Sequence, residues 1–182
     1  MTSPKSPRTN GYHLFLEPSG KSAEILKSII IRLAGEFGGP VFTPHVTLLS
    51  LAFLSTEEPE TVLTKKMAAF AVACAPFSLA LGLPAVEDRY FRSLYLRVQE
   101  KESMTALHRR AAEAFSVAPD AEYVPHLSLL YGNYSQERKE ERTTSLDLQG
   151  TDSFQVDQVN LWKTEGEVAD WIRIASFNMG NL

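Results

Sequence analysis

Two stretches decide the fold: Pro44-His45-Val46-Thr47-Leu48-Leu49-Ser50 and Pro125-His126-Leu127-Ser128-Leu129-Leu130-Tyr131. They stand 81 residues apart and match at four of seven positions. Two further positions are like for like, Val46 with Leu127 and Thr47 with Ser128. Each reads as a strand. Residues two apart on a strand share a face, so His45 points with Thr47 and His126 with Ser128.

The same offset aligns the surroundings. Tyr12–Leu16 falls on Ser93–Arg97, and a helical pattern from Ser22 falls on one from Ser103. With an offset of 77, Phe77 falls on Phe154. Working outward, the spacing predicts strands over Tyr12–Glu17, Thr43–Leu54 and Phe77–Val86, with helices over Ser22–Phe37 and about Glu57–Cys74. Gly38-Gly39-Pro40 ends the first helix, and Ser55 with Glu58 forms a capping-box pattern for the second. The order then restarts: strand Ser93–Gln99, helix Ser103–Phe115, strand Pro125–Tyr131, a charged surface helix from Ser135 to about Leu146, and strands Phe154–Thr164 and Asp170–Phe177. This is an internal duplication, about 12–86 and 93–177. Two copies are too few for a solenoid. They predict an α+β, bilobal duplicated fold, with two antiparallel sheets facing a central cleft and helices on the outer faces.

Composition narrows the function classes. At 182 residues the chain fits one domain, 11–182, with residues 1–10 expected as a flexible tail. Hydrophobic residues at 44% and charged residues at 22% are those of a soluble globular protein. A formal charge of −4 argues against gripping long nucleic acid, which needs a basic face. It leaves room for a small nucleotide. One cysteine, Cys74, excludes an internal disulfide and a cysteine-rich metal site, and is expected as an inert core thiol in a reducing compartment. Met1 to Asn10 has no apolar run of the kind a signal peptide needs. Phe70 to Val86 is apolar but is interrupted by Pro76, Gly82 and Pro84. The expectation is a cytoplasmic monomer without membrane attachment. Gly20-Lys21-Ser22 ends like a phosphate-binding loop, but Phe15 stands where its first glycine would be.

The paired motifs carry chemistry. In-line hydrolysis of a phosphodiester needs a base to take a proton from water and an acid to protonate the leaving alkoxide. Histidine, with an unperturbed pKa of ~6.5, can fill either role near neutrality. Short hydroxyls beside the imidazoles can bind the non-bridging oxygens as charge builds. If the two strands lie side by side, His45 and His126 become acid and base and Thr47 and Ser128 the phosphate donors. A lone histidine on a strand is ordinarily structural; a duplicated Pro-His-x-(Thr/Ser)-Leu-Leu is not. Two histidines with no carboxylate or thiol fall short of a zinc site, so neither metal nor cofactor is expected. His13 and His108 read as structural residues, although His13 shares the face of Phe15.

His45-Val46-Thr47 and His126-Leu127-Ser128 resemble the motifs of the two-histidine phosphoesterase superfamily. Ser128-Leu129-Leu130-Tyr131-Gly132 and the opening Tyr12-His13-Leu14-Phe15-Leu16-Glu17-Pro18 look like the plant and fungal cyclic nucleotide phosphodiesterases. The resemblance covers nearly the whole chain after residue 10. It implies a bilobal, metal-independent enzyme that opens a small nucleotide cyclic phosphate: a 2′,3′-cyclic nucleotide to the 2′-phosphate, or ADP-ribose 1″,2″-cyclic phosphate to the 1″-phosphate. It implies that Phe15, Phe91, Trp162 and Tyr131 line the cleft and hold the substrate, Tyr131 having the added argument of its place three residues after Ser128. The plant members look disulfide-stabilised; this chain, with one cysteine, cannot be. An enzyme processing RNA ends would want a basic groove, and a binding module that has lost catalysis would be expected to have lost part of the His–hydroxyl quartet.

Overall fold

Leu14 and Leu16 alternate with His13 and Phe15 along the first strand, β1 (Tyr12–Leu16). Both leucines are fully buried, in one apolar cluster with Leu26, Ile30 and Leu33 of the helix α1 (Gly20–Phe37). Each such side chain contributes roughly 1.5–3 kcal/mol by leaving water. Gly38 ends α1 with φ of 76° and donates its N–H to the Ala34 carbonyl at 2.8 Å, as a left-handed cap does. The chain continues as β2 (Val46–Ser50), α2 (Glu60–Val72), β3 (Phe77–Val86), a 3-10 turn at Tyr90–Arg92, β4 (Leu94–Val98) and α3 (Lys101–Ala114). It closes with β5 (His126–Leu130), α4 (Gln136–Thr143), β6 (Ser153–Val156), β7 (Gln158–Lys163), a second 3-10 turn at Val168–Asp170 and β8 (Ile172–Asn178). The computed structural model describes residues 7–52 and 58–180.

All strand pairs among the described residues are antiparallel, and the two expected sheets are halves of one eight-stranded sheet, β6-β3-β4-β5-β2-β1-β7-β8. The halves join through a single register pair, Val46 with Leu127. These are the two residues that the offset of 81 makes equivalent, so the approximate two-fold axis passes between them. Each half-sheet draws on both halves of the sequence. β3 leaves the first repeat to pair with β4, and β7 leaves the second to pair with β1. The helices exchange as well: α1 packs on β5 and α3 on β2. Helix α2 packs on β7 and β8, and α4 on β3.

Several expected boundaries move. The strand expected over Phe154–Thr164 is two strands, broken at Asp157, that belong to opposite halves of the sheet. One residue cannot span a flat sheet of eight strands; two residue steps reach roughly 7 Å at most. The sheet therefore curls until its two ends meet at this corner, where Met179 donates its N–H to the Asp157 carbonyl at 2.7 Å. The second strand begins at Val46 rather than Thr43, and α2 begins at Glu60 after Pro59. Ser55 of the expected capping box lies outside the described residues. Residues 168–170, expected in part as strand, form a turn. The expected tail is pinned at Thr9, which exchanges backbone hydrogen bonds with Gly166 at 2.9 and 3.0 Å. Ser135 precedes α4, but its side chain makes no capping bond. The face of α4 is not wholly solvated either: Lys139 is buried and donates its Nζ to the Glu87 carbonyl at 2.6 Å.

Two residues beyond β5, a glycine fixes part of the cleft wall. Gly132 has φ of 141°, and its N–H donates to the Tyr90 carbonyl at 2.9 Å, holding the first 3-10 turn against β5. A Cβ there would also collide with the ring of Tyr134. Gly132→Ala should therefore lower the stability of the fold by about 3 kcal/mol, through backbone strain and overpacking together. Urea unfolding followed by tryptophan fluorescence checks this; an unchanged midpoint would show that the turn relaxes freely.

Candidate active site

The register at the axis builds the site. With Val46 opposite Leu127, the antiparallel ladder sets His45 across from Ser128 and Thr47 across from His126. Val46 and Leu127 are fully buried in the core, so their neighbours in sequence face the other way, into the concave side of the sheet. There a cleft of about 490 Å³ is lined by His45, Thr47, His126 and Ser128 together.

The two imidazoles are held alike. His45 Nδ1 lies 2.6 Å from the Thr43 carbonyl and His126 Nδ1 lies 2.7 Å from the Val124 carbonyl. A carbonyl can only accept, so Nδ1 carries the proton in both rings. Each ring then has Nε2 to offer, as an acceptor when neutral and a donor when charged. Thr43 and Val124 are themselves one offset apart, so the tautomer-setting contact is duplicated with the motif.

Burial disfavours charge on both rings. His45 is 5% exposed and stacks on Phe15 with centroids 3.7 Å apart. Burial takes it down to about 3, its bond to Thr43 opposes this, and the nearby His126 and His13 add to it. His126 is lowered too, first by burial; Val124 and Glu87 pull it back up and Arg92 pushes it down. Glu87 is the hub beside His126. Its Oε2 accepts from Arg92 Nε at 2.8 Å and Nη2 at 2.6 Å, and its Oε1 accepts from the Tyr95 hydroxyl at 2.8 Å. Tyr95 in turn meets His126 edge to face at 5.4 Å.

The two hydroxyls differ. Thr47 faces the cleft and makes no side-chain hydrogen bond to another described residue. Ser128 is buried and donates to the Phe91 carbonyl at 2.8 Å. Its proton is engaged in this state, and it can donate to another oxygen only by releasing Phe91.

Of the aromatic residues singled out from sequence, Phe15, Phe91 and Tyr131 line the cleft. Tyr131 lies flat on Phe42 at 3.7 Å and edge-on to Phe91 at 5.2 Å. Trp162 lines instead an adjoining cavity of about 180 Å³, shared with Phe15 and His45, and donates Nε1 to Glu17 at 2.6 Å. His13 also reaches the cleft, between the hydroxyls of Ser50 at 2.9 Å and Thr164 at 2.8 Å, and burial holds its pKa well below the usual range. His108 is buried in the wall of the same cleft, bonded at both nitrogens. Cys74 is buried, and burial pushes its thiol up.

Sequence reading missed Trp171, which lines both cavities and packs 6.0 Å from Phe91 and 6.2 Å from Tyr131. Its Nε1 donates to the Thr9 hydroxyl at 2.9 Å, so the pinned N-terminal segment orients this wall. Arg89 and Arg92 were missed as well; their guanidinium groups are the cations of the cleft lining. Among the described residues no three His, Cys, Asp or Glu side chains gather as a metal site, and no helix is long and apolar enough to cross a membrane.

Comparison with known proteins places the chain in a family. Residues 11–179 match the model of the family described as cyclic phosphodiesterase-like proteins. The chain is 28% identical to the cyclic phosphodiesterase of Arabidopsis thaliana over 179 residues, covering 92% of this chain and 94% of that one. It is 27% identical to the 2′,3′-cyclic-nucleotide 3′-phosphodiesterase of Yarrowia lipolytica, over 71% of this chain and 80% of that one. In fold it is similar to E. coli LigT in its apo form, with a TM-score of 0.63 at 15% identity, over 96% of this chain and all of the other. With a match that spans nearly its whole length, the chain belongs to the cyclic phosphodiesterase-like proteins of the two-histidine phosphoesterase superfamily.

Proposed function

We propose that this chain hydrolyses a nucleotide cyclic phosphate, with His45 and His126 exchanging the roles of base and acid around a phosphate bound at Thr47 and Ser128. One observation carries the reading: two imidazoles, His45 buried and His126 partly buried, each fixed as the Nδ1–H tautomer by an equivalent backbone carbonyl, line one cleft with Nε2 left to offer. The names of the plant and yeast relatives support the substrate class.

In the step proposed, one neutral Nε2 takes a proton from water as its oxygen bonds to phosphorus. The bond from phosphorus to the 3′ oxygen of a 2′,3′-cyclic nucleotide breaks in line, and the protonated Nε2 of the other ring gives its proton to that oxygen. The product is the nucleoside 2′-phosphate. The protons balance, because one imidazole ends charged and the other neutral. The cleft's near two-fold symmetry suits either ring to either role; the side on which the aromatic wall holds the sugar decides. In this wall the partly exposed rings of Phe91 and Trp171 can offer faces to a base, backed by the buried Phe15 and Tyr131. ADP-ribose 1″,2″-cyclic phosphate is the second substrate of the same chemistry. Two nitrogen ligands are too few to hold zinc, and the in-line step as written needs none.

Three outcomes are expected. First, on 2′,3′-cyclic AMP the wild-type chain should yield 2′-AMP at the same rate with or without EDTA. His45→Ala or His126→Ala should each lower kcat by ~10²–10⁴, with KM less affected. Turnover near wild type in either variant, or activity restored only by added metal, would sink the mechanism.

Second, the pH profile should be bell-shaped with its kcat/KM optimum on the acid side of 6.5. The sign follows from burial: both rings are lowered in the free enzyme, so the form with one proton shared between them is most populated below the ordinary histidine range. The bound phosphate anion favours the charged ring, so the optimum for kcat should lie higher than that for kcat/KM. Coincident optima at or above 7 would contradict the lowering of both rings.

Third, Thr47→Val should cost roughly 2–4 kcal/mol of transition-state stabilisation, and Ser128→Ala less, because its proton already serves Phe91. Steady-state rates on both variants check the order; wild-type kcat/KM in Thr47→Val would make that hydroxyl structural.

A further inference from the structure

Two contacts hold the segments that lead into the motifs, and they occupy equivalent places in the duplication. Lys27 on α1 and His108 on α3 stand one offset apart, as do Phe42 and Tyr123. Lys27 Nζ donates to the Phe42 carbonyl at 2.9 Å. His108 lies flat on the Tyr123 ring, with centroids 4.1 Å apart and planes 6° apart. In each case a helix residue grips the position just before the carbonyl that sets the catalytic tautomer, Thr43 or Val124.

The second contact is the more elaborate. His108 Nδ1–H donates to the Leu48 carbonyl on β2 at 2.8 Å, and Nε2 accepts from the Asp120 N–H at 2.9 Å. A neutral imidazole satisfies both. The Tyr123 hydroxyl donates to the Thr47 carbonyl, also on β2, at 2.9 Å. Residues 120–123 are thus stitched to the strand carrying one motif, and the next residue, Val124, supplies the carbonyl for the histidine of the other. His108 is 2% exposed, so its bonds do not compete with water.

We propose that His108 and Tyr123 are positioning residues for His126: they fix the Val124 carbonyl against β2 and thereby hold His126 as the Nδ1–H tautomer, with Lys27 doing the same for His45 through Phe42. The proposal rests on the two-histidine reading for its effect on rate, but its structural half stands alone. A reacting group misplaced by about 1 Å can lose 10²-fold in rate, which makes a buried two-point fixation of this carbonyl consequential.

The test combines imidazole ¹⁵N NMR, which distinguishes the two neutral tautomers, with kinetics on 2′,3′-cyclic AMP. His108→Leu should remove the Nδ1–H signature of His126 while leaving that of His45, and should lower kcat by ~10–100-fold with little change in KM. His108→Gln should recover most of kcat, because its amide can donate to Leu48 and accept from Asp120. Tyr123→Phe keeps the stacked ring and loses only the hydroxyl. It should shift the His126 signals and cost ~3–10-fold in kcat, and it decides the matter if His108→Leu does not fold. Lys27→Met should move the His45 signals alone. Unchanged His126 signals and kcat in folded His108→Leu, or in Tyr123→Phe, would overturn the proposal. A wild-type chain inert to cyclic phosphates, in which His108→Leu still shifts the His126 tautomer, would uphold the positioning and overturn the hydrolase reading instead.

Discussion

One backbone pairing organises the molecule: Val46 opposite Leu127, the single register pair that joins β2 to β5. Everything chemical follows from its parity. Both side chains go into the core, so both flanking residues on each strand must emerge on the other face. That sets a histidine of one motif opposite a hydroxyl of the other, twice. A slip of one residue would send His45 and His126 into the apolar core and bring Val46 and Leu127 to the cleft. The Leu48 and Leu129 side chains, both fully buried, hold the parity one step further along each strand.

The site that results depends on what the backbone supplies. A buried imidazole without partners would be free to turn or to change tautomer. Here the carbonyls of Thr43 and Val124 use up Nδ1, and the ring stacked on His45 leaves it little room to rotate. The two halves are nevertheless unequal. His126 has the Glu87–Arg92–Tyr95 cluster beside it, whereas His45 has an aromatic face and a second cavity. An approximate symmetry of atoms therefore coexists with a real asymmetry of electrostatics, and an asymmetric substrate requires the latter.

Much of this was legible in the residues. The offset of 81 located the axis, and period-two alternation placed His13 on the side of Phe15. Other features left weaker marks. The break at Asp157 shows as a phase slip, since Phe154 and Val156 fall on one parity and Val159 and Leu161 on the other, but no glycine or proline announces it. Trp171 was hidden because it stands at the entry to a strand, where an aromatic residue reads as core. Thr9 reaches the wall only through the fold of the Thr164–Gly166 segment, which no local pattern encodes. Lys139 sits in the run Gln136 to Arg142, whose composition says surface; its burial comes from α4 packing on β3 with the Glu87 carbonyl within reach. The exchange of β3 and β7 between halves was invisible for the same reason: a repeat shows which segments are alike, not which of them pair.

The single residue between β6 and β7 has a mechanical consequence. The two half-sheets are joined at the axis by β2 and β5, and again at the far corner by Asp157 with its bond from Met179. The second fastening removes the freedom to swing about the axis pair alone. Opening the cleft by swinging one half from the other would require tearing a ladder or stretching a covalent link that has no slack. The parts of the cleft lining not tied into this frame by a ladder are side chains at its rim, among them Arg89, which is largely exposed. The frame around the two histidines is thus braced on both sides of the cleft.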